Sequence, residues 1–446
     1  MEHDRIILIR NGKLITFDKD IISPYDGLCI EGNIIKELNY SNVLENKYPK
    51  AEIIDASGKI IMPGMINFRS SIYSFFMRGL PVKEKNTYRP GQLMDRLYFR
   101  YDTLIDYDML YYCSLLTCVE SIKAGTTTIF DINSSPQAAA NSLDIIDGAA
   151  QKAGLRTCLA YEVSDRNGAK ARDEAIAENI RFIKKCREKG SDLSSAMFGL
   201  HSSYTLTDET LYKCAGNSEA AEAGFNICAA ADRRDLEDAL KKYGMKVIHR
   251  LNAQGILGPK SLVCGCDHID EQEVELLKQK SAAVVHCPTM NLKKALRSSS
   301  IGKVIKSGVP VGIGTAGIAD NMFREASQAC LYMKSEEKEE TASLAEMEEI
   351  LFRNTPAIAG RHFKKEIGRL KADAFADIII LDYYPPTPLN NSNVARHILE
   401  GLANTKVNTT VINGRVLMKN RKLLYIDERE LAEKSRVAAL KLWEKF

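Results

Sequence analysis

This 446-residue sequence has no run of 18 apolar residues, so no membrane span is evident in it. Its opening, MEHDRIILIRNGK, lacks the charged segment, apolar stretch and small-residue cleavage site of a secretory signal, and none is expected. Excess charge of one sign is missing as well. Basic side chains number 61 and acidic ones 58, a formal net charge of +3, with no clustered Lys/Arg arm. That balance supplies no basic field for nucleic acid. A disulfide framework is also lacking. The 11 cysteines are odd in number, scattered and mostly set in apolar helix or strand patterns. Reduced thiols in a cytoplasm fit that usage.

What is present is ordinary for a folded α/β chain. Apolar residues make up 45% and charged residues 27%. The length suits one large domain with a smaller companion. Residues 1–62 read as short strands, with turns at Asn11-Gly12, Gly32-Asn33 and Ser57-Gly58. Strands return near the end at Ala376–Asp382 and in a hairpin around Asn413-Gly414. The two ends, 1–62 and 370–426, are expected to form one composite β-sandwich. Between them strand and helix patterns alternate, as parallel sheets with crossover helices do. Strands are expected at Ile60–Phe68, Thr126–Asp131, Arg156–Glu162, Ala196–His201, Gly224–Ala229, Leu262–Cys266, Ala282–His286 and Val309–Gly314. Eight of them predict a closed (β/α)8 barrel over 63–369, with chemistry at the C-terminal strand ends. The polar and aromatic connection 81–106 is long enough for a lid or an interface. Residues 427–446 predict an amphipathic docking helix that presents Leu431, Leu440, Trp443 and Phe446.

Several stretches carry a resemblance: DASGKIIMPGMINFRSS at 55–71, FGLHSSYTLTDETL at 198–211, GILGPKSLVCG at 255–265, AVVHCPTMN at 283–291, and VGIGTAG at 311–317. They resemble the amidohydrolase superfamily, in the aminohydrolase branch with the SsnA-type proteins, guanine deaminase and the chlorotriazine hydrolases. The resemblance implies a barrel that binds one Zn²⁺ or Fe²⁺ and makes hydroxide to attack an electron-poor ring carbon. Such a metal wants neutral imidazole and carboxylate ligands, with a Glu to shuttle the proton.

Position by position, those groups are replaced. The strand 1 His pair falls on Arg69 and Ser71, and a guanidinium has no lone pair for a metal. The strand 5 His-x-Ala-Glu falls on Cys228-Ala229-Ala230-Ala231, which puts a methyl at the acid/base position. The strand 6 His is Cys264, and the strand 8 Asp is Ala316. The sequence therefore predicts that metal-dependent catalysis is lost, that no metal cofactor is needed, and that the chain is a pseudoenzyme with a degenerate metal site.

The resemblance further implies a substrate pocket of Arg69, Tyr73, His201, Asp267, His286, Asn291 and Asp320. His201 and His286 are either ligand contacts or structural strand-end histidines. Arg69 either meets a carboxylate such as Asp267 or Asp320, or an anionic ligand, or else snorkels to solvent. Cys228, Cys264, Cys266 and Cys287 are either small buried fillers or a soft-metal or nucleophilic group. The favoured expectation is a binding, regulatory or subunit role, as a homodimer, with a small nitrogenous ring compound or an anionic ligand. The alternative is an enzyme that uses Cys264 or Cys228 as nucleophile with His201 or His286 as base. Ordinary metal-dependent deamination or dechlorination comes last.

Overall fold

The computed structural model describes residues 5–81, 94–294, 301–317, 321–337 and 343–446. Eight parallel strands surround one interior: β1 (Met65–Ser70), β2 (Thr126–Asn133), β3 (Arg156–Tyr161), β4 (Phe198–Ser202), β5 (Phe225–Ala229), β6 (Leu262–Gly265), β7 (Ala283–His286) and β8 (Val311–Ile313). Ladders run from β1 through β3 and from β4 through β8. Two seams join these arcs. Val163 N donates to Gly199 O at 3.1 Å, and His201 N donates to Val163 O at 3.0 Å. At the other seam Thr315 N and Ala316 N both donate to Arg69 O, at 2.9 and 2.7 Å. Asn67 reinforces it, donating to the Thr315 hydroxyl at 3.1 Å and accepting from Thr315 N at 3.2 Å.

Alternation along each strand sorts the side chains. Phe68, Phe130, Ile132, Leu262, Val285 and Cys287 fill the barrel interior. Residues of the opposite parity, such as Ile129, Val284 and Ile313, meet the surrounding helices. Gly312 makes room for this packing, because a Cβ there would lie 2.5 Å from the Phe68 ring.

The expected strand Ile60–Phe68 is two strands. Ile60–Pro63 pairs antiparallel with Ile378–Leu381, and the barrel strand begins only at Met65. The break falls at Gly64, where a Cβ would sit 2.1 Å from the Thr127 side chain, so the chain crosses β2 closely as it changes sheets.

Both chain ends build the β-sandwich beside the barrel. One sheet orders Ile34–Asn39, Gly27–Glu31, Ile6–Arg10 and Glu52–Asp55. The other orders Lys422–Leu423, Arg415–Lys419, Val407–Ile412, Ile378–Leu381, Ile60–Pro63 and Lys13–Leu14. Ile7, Ile9 and Ile30 of the first pack with Ile61, Ile378 and Val411 of the second. The turns at Gly32-Asn33 and Asn413-Gly414 close hairpins as expected. Those at Asn11-Gly12 and Ser57-Gly58 do not; each carries the chain from one sheet to the other. A buried Arg156–Asp377 pair, bonded at 2.8 and 2.9 Å, ties β3 to the sandwich.

The last helix, Glu428–Lys445, starts at the Asp427 cap. It docks through Leu431 and Leu442, and Trp443 Nε1 donates to Phe76 O at 2.9 Å. Leu440, expected to dock, is 57% exposed; Leu442 is the buried residue. A fully buried Leu contributes about 2 kcal/mol of transfer free energy, enough to decide which face turns inward. Among the described residues no helix is long and apolar enough to cross a membrane.

Candidate functional site

The C-terminal strand ends enclose a cavity of about 60 Å³, lined by Arg69, Ser71, Tyr73, Tyr98, Phe99, Asp102, Ile132, Glu162, Arg166, His201, Cys228, Met290, Lys294 and Ala316. Hollows of about 480 and 590 Å³ lie at the opposite barrel end and on the side wall. The smaller cavity is the candidate site because the strand ends aim their side chains at it.

One side of it is charged. Glu162 follows directly on β3, and the loop beyond returns Arg166 over it. Arg166 donates to Glu162 Oε1 at 2.5 Å, to the Ser134 hydroxyl at 2.9 Å, and to Asp102 Oδ2. Ser134 in turn donates to Asp102 Oδ2 at 2.8 Å. The Phe99 ring is held between the Arg166 guanidinium, at 4.2 Å, and the His201 ring, at 5.4 Å. Phe99 and Asp102 belong to the connection expected to form a lid or an interface, and both line the cavity. The remainder of that connection, 82–93, lies outside the described residues.

Burial and neighbours set these groups apart. Burial lifts Asp102 to about 7, against the lowering pull of Arg166. Burial would also lift Glu162, but His201, Arg166 and Arg69 more than offset it and hold the carboxylate below its ordinary range. Burial takes His201 down to about 4, against the opposing pull of Glu162, so its ring is neutral at pH 7. Its tautomer follows from a neighbour. The Thr205 hydroxyl gives its hydrogen to Ser202 O at 3.0 Å, so at 2.7 Å it accepts from His201 Nδ1. That leaves the Nε2 lone pair as an acceptor. At the end of β2, Asp131 accepts from Ile72 N at 2.8 Å and is lifted by burial to about 7.

The opposite side carries cations, Arg69 and the rim Lys294. Arg69 is 6% exposed, so it does not snorkel outward. It donates to Asn226 Oδ1 at 2.7 Å and to Cys228 Sγ at 3.3 Å. Neither expected carboxylate meets it: Asp267 accepts from Asn291 at 3.2 Å, and Asp320 lies outside the described residues. Tyr73 lines the cavity, and its carbonyl accepts from Tyr101. Ala231 packs toward Gly265 instead, where a Cβ would be 2.7 Å from its methyl. His286 does not face the mouth. It sits on the outer parity of β7, buried beside the Tyr332 ring at 5.5 Å, because Val285 and Cys287 take the inner positions. Three residues after strands hold left-handed backbone: Ala230 at φ 48°, Cys266 at φ 63° and Ala316 at φ 43°.

The thiols are not poised to attack. A hydrogen bond that Cys228 donates to Cys264, and then burial, raise Cys228. For Cys264, hydrogen bonds to Cys228 and Cys287 pull in opposite directions, and with burial the result is about 12. Cys264 and Cys287 lie 3.6 Å apart. Both attacking candidates are held as thiols at neutral pH, which weighs against the alternative cysteine route.

Residues 60–417 match the amidohydrolase family. The chain belongs to the amidohydrolase family. It is 27% identical over 449 residues, 98% of each chain, to a 5-methylthioadenosine/S-adenosylhomocysteine deaminase of Pelotomaculum thermopropionicum. It is likewise 27% identical over 441 residues, 98% of each chain, to a 5'-deoxyadenosine deaminase of Methanosarcina acetivorans. Among solved structures, an adenosine deaminase from Xanthomonas campestris with bound zinc superimposes at a TM-score of 0.85, with 18% identity and 100% of both chains covered. The zinc complex of atrazine chlorohydrolase TrzN from Arthrobacter aurescens gives 0.82, with 17% identity over 97% of this chain and 100% of that one.

These relationships correct two expectations. Full-length likeness to proteins named as deaminases overturns the reading of a pseudoenzyme confined to binding, regulatory or subunit roles. The zinc bound in solved structures of the same fold stands against the expectation that this chain needs no metal cofactor. The physical reason lies across the cavity: the family's ligand and acid/base positions do not include Asp102, Glu162 and Arg166. Glu162 had a visible signal, as a carboxylate ending the strand predicted at Arg156–Glu162. Arg166 and Asp102 had none, since loop folding brings them together. At the metal-binding positions themselves, the guanidinium of Arg69, the thiols of Cys228 and Cys264 and the methyl of Ala316 do not fit a divalent ion in the imidazole–carboxylate manner. Among the described residues no group of three or more His, Cys, Asp or Glu is arranged to hold one. No catalytic step is therefore derived through a metal.

Proposed function

We propose that this amidohydrolase releases ammonia hydrolytically from an aminated nitrogenous ring, with adenosine derivatives as the first substrates to test. One observation carries the reading. A single cavity holds an ionised Glu162, an Asp102 poised near neutrality and a neutral His201 with a free acceptor nitrogen. Two carboxyl groups whose environments drive their proton affinities apart suit a base and an acid working together.

In the reaction, the oxygen of water bonds to the ring carbon that bears the amino group, and a proton from that water passes to Glu162. Asp102, in its protonated form, supplies the proton with which the amino group leaves as ammonia when the C–N bond breaks. Proton return from Glu162 to Asp102, through Arg166-bound water or product, resets the pair. His201 Nε2 accepts from a ring N–H or hydroxyl and so orients the ring. Arg166 is a positioning residue that holds both carboxyl groups. A cavity of about 60 Å³ is smaller than a nucleoside, so Tyr98 and Phe99 must swing away for entry and return to exclude water. We further propose a homodimer, which light scattering of the purified protein tests, working in the cytoplasm, which cell fractionation tests.

The direct test is ammonia release and the accompanying ultraviolet change with 5'-deoxyadenosine, 5-methylthioadenosine and S-adenosylhomocysteine. Turnover of at least one, lost in Glu162→Gln, is the expected result. A folded wild-type protein that frees no ammonia from any of the three overturns the proposal.

A further inference from the structure

We infer that the deep wall of this cavity is a carboxylate-binding subsite, so that the ring it accepts carries a carboxylate. The inference rests on the mouth being the deamination site. Its starting point is a charge imbalance. Three cations line the cavity, Arg69, Arg166 and Lys294, and Arg166 is already paired with Glu162 and Asp102. Arg69 has no carboxylate within hydrogen-bonding reach among the described residues; its two side-chain bonds go to an amide oxygen and a thiol. Three of its five N–H donors have no partner there. Lys294 likewise has no side-chain hydrogen bond or ion pair among the described residues. A cation more than nine-tenths buried is costly unless something negative meets it, and Glu162 and Asp131 act on Arg69 only from a distance, without a hydrogen bond to it.

Shape agrees with charge. The planar guanidinium fork matches the two oxygens of a carboxylate, while the attached ring needs Tyr98 and Phe99 to move, as a nucleoside does. Met290 and Ile132 supply apolar contact for the attached ring, and His201 Nε2 an acceptor for its polar edge. Because Arg69 sits on β1 at the base of the mouth, the carboxylate end enters first. An amino-substituted heteroaromatic acid fits this order.

Calorimetry with a matched pair tests it: 6-aminonicotinate and its neutral amide, 6-aminonicotinamide, share ring and amino group and differ only in the charged end. The wild-type protein is expected to bind the acid at least tenfold more tightly. Arg69→Met and Lys294→Met should each shrink that ratio toward one, and Lys294, half-exposed on the rim, leaves a folded variant if the Arg69 change does not. Equal affinities, no measurable binding of the acid, or an undiminished preference in a folded Arg69→Met or Lys294→Met protein would overturn the subsite. Ammonia release is read separately. Turnover of neutral nucleosides without a carboxylate preference defeats this inference alone, whereas a strong preference with no ammonia from any ring defeats only the deaminase reading.

Discussion

Two halves of one cavity solve the problem of polar groups at a barrel mouth in opposite ways. Behind β2, β3 and β4 the strand ends deliver Asp131, Glu162 and His201, and loops add Asp102 and Arg166 until nearly every charge has a partner. Behind β5, β6 and β8 they deliver Cys228, Cys264 and Ala316, and the charges facing them are cations, Arg69 and the rim Lys294. Yet the second half keeps strained backbone at Ala230, Cys266 and Ala316. Hydrogen bonds brace it: Ala230 N donates to Asp235 at 2.7 Å and Cys266 N to Ala229 O at 2.9 Å. Side-chain chemistry and backbone shape are thus separable; the loops stay in left-handed form although their side chains carry little charge.

The largest effect should come from unbalancing the charged half. Arg166→Met leaves Glu162 and Asp102 facing each other without a counter-charge. Removing one member of a buried ionic cluster costs about 3–5 kcal/mol, read as a lower midpoint in urea. Activity should fall by at least about 100-fold, the scale of a lost acid–base pair. The same substitution at Arg69 should cost less stability, because no carboxylate among the described residues is bonded to it. Equal losses at the two arginines would erase the contrast between the halves.

A smaller effect follows from proton affinity. Because Asp102 must be protonated to act as acid, kcat/KM should fall as pH rises through about 7, and below about 4 it should fall again as His201 becomes charged. Asp102→Asn should lower the rate and remove the upper limb; an unchanged limb would assign it to another group. Stability gives an independent reading. Asp131 has its affinity raised on folding, so its contribution is fully present below pH 4 and is lost as pH climbs through about 7. Asp131→Asn should flatten the fall in Tm between pH 5 and pH 8, while the same exchange at exposed Asp173 should not.

How much of this was legible depended on range. Strand and helix alternation located all eight barrel strands. Asn-Gly and Ser-Gly pairs suggest hairpins, but a turn residue reports a local bend and not which sheet receives the next strand; Gly12 and Gly58 hand the chain across. Motif alignment placed Arg69, Cys228 and Ala316 on the cavity wall. It misplaced His286, where strand parity should have prevailed over motif position. The pairing of Arg166 with Asp102 spans 64 positions, and no local pattern encodes such a meeting.

The smallest effect probes the strained half directly. Ala316 sits at φ 43° and is half-buried, so its backbone pays the penalty of a Cβ in the left-handed region without a large packing return. That penalty is about 1 kcal/mol for a non-glycine residue and larger for a β-branched one. Ala316→Gly relieves it but also loosens the unfolded chain, which offsets part of the gain, so Tm should rise by roughly 1 °C in a protein this size. Ala316→Val should lower it by more than that. The sign difference is what matters. If glycine and valine shift the midpoint in the same direction, the left-handed conformation is not what holds this strand end, and the separation of backbone from side-chain chemistry fails at β8.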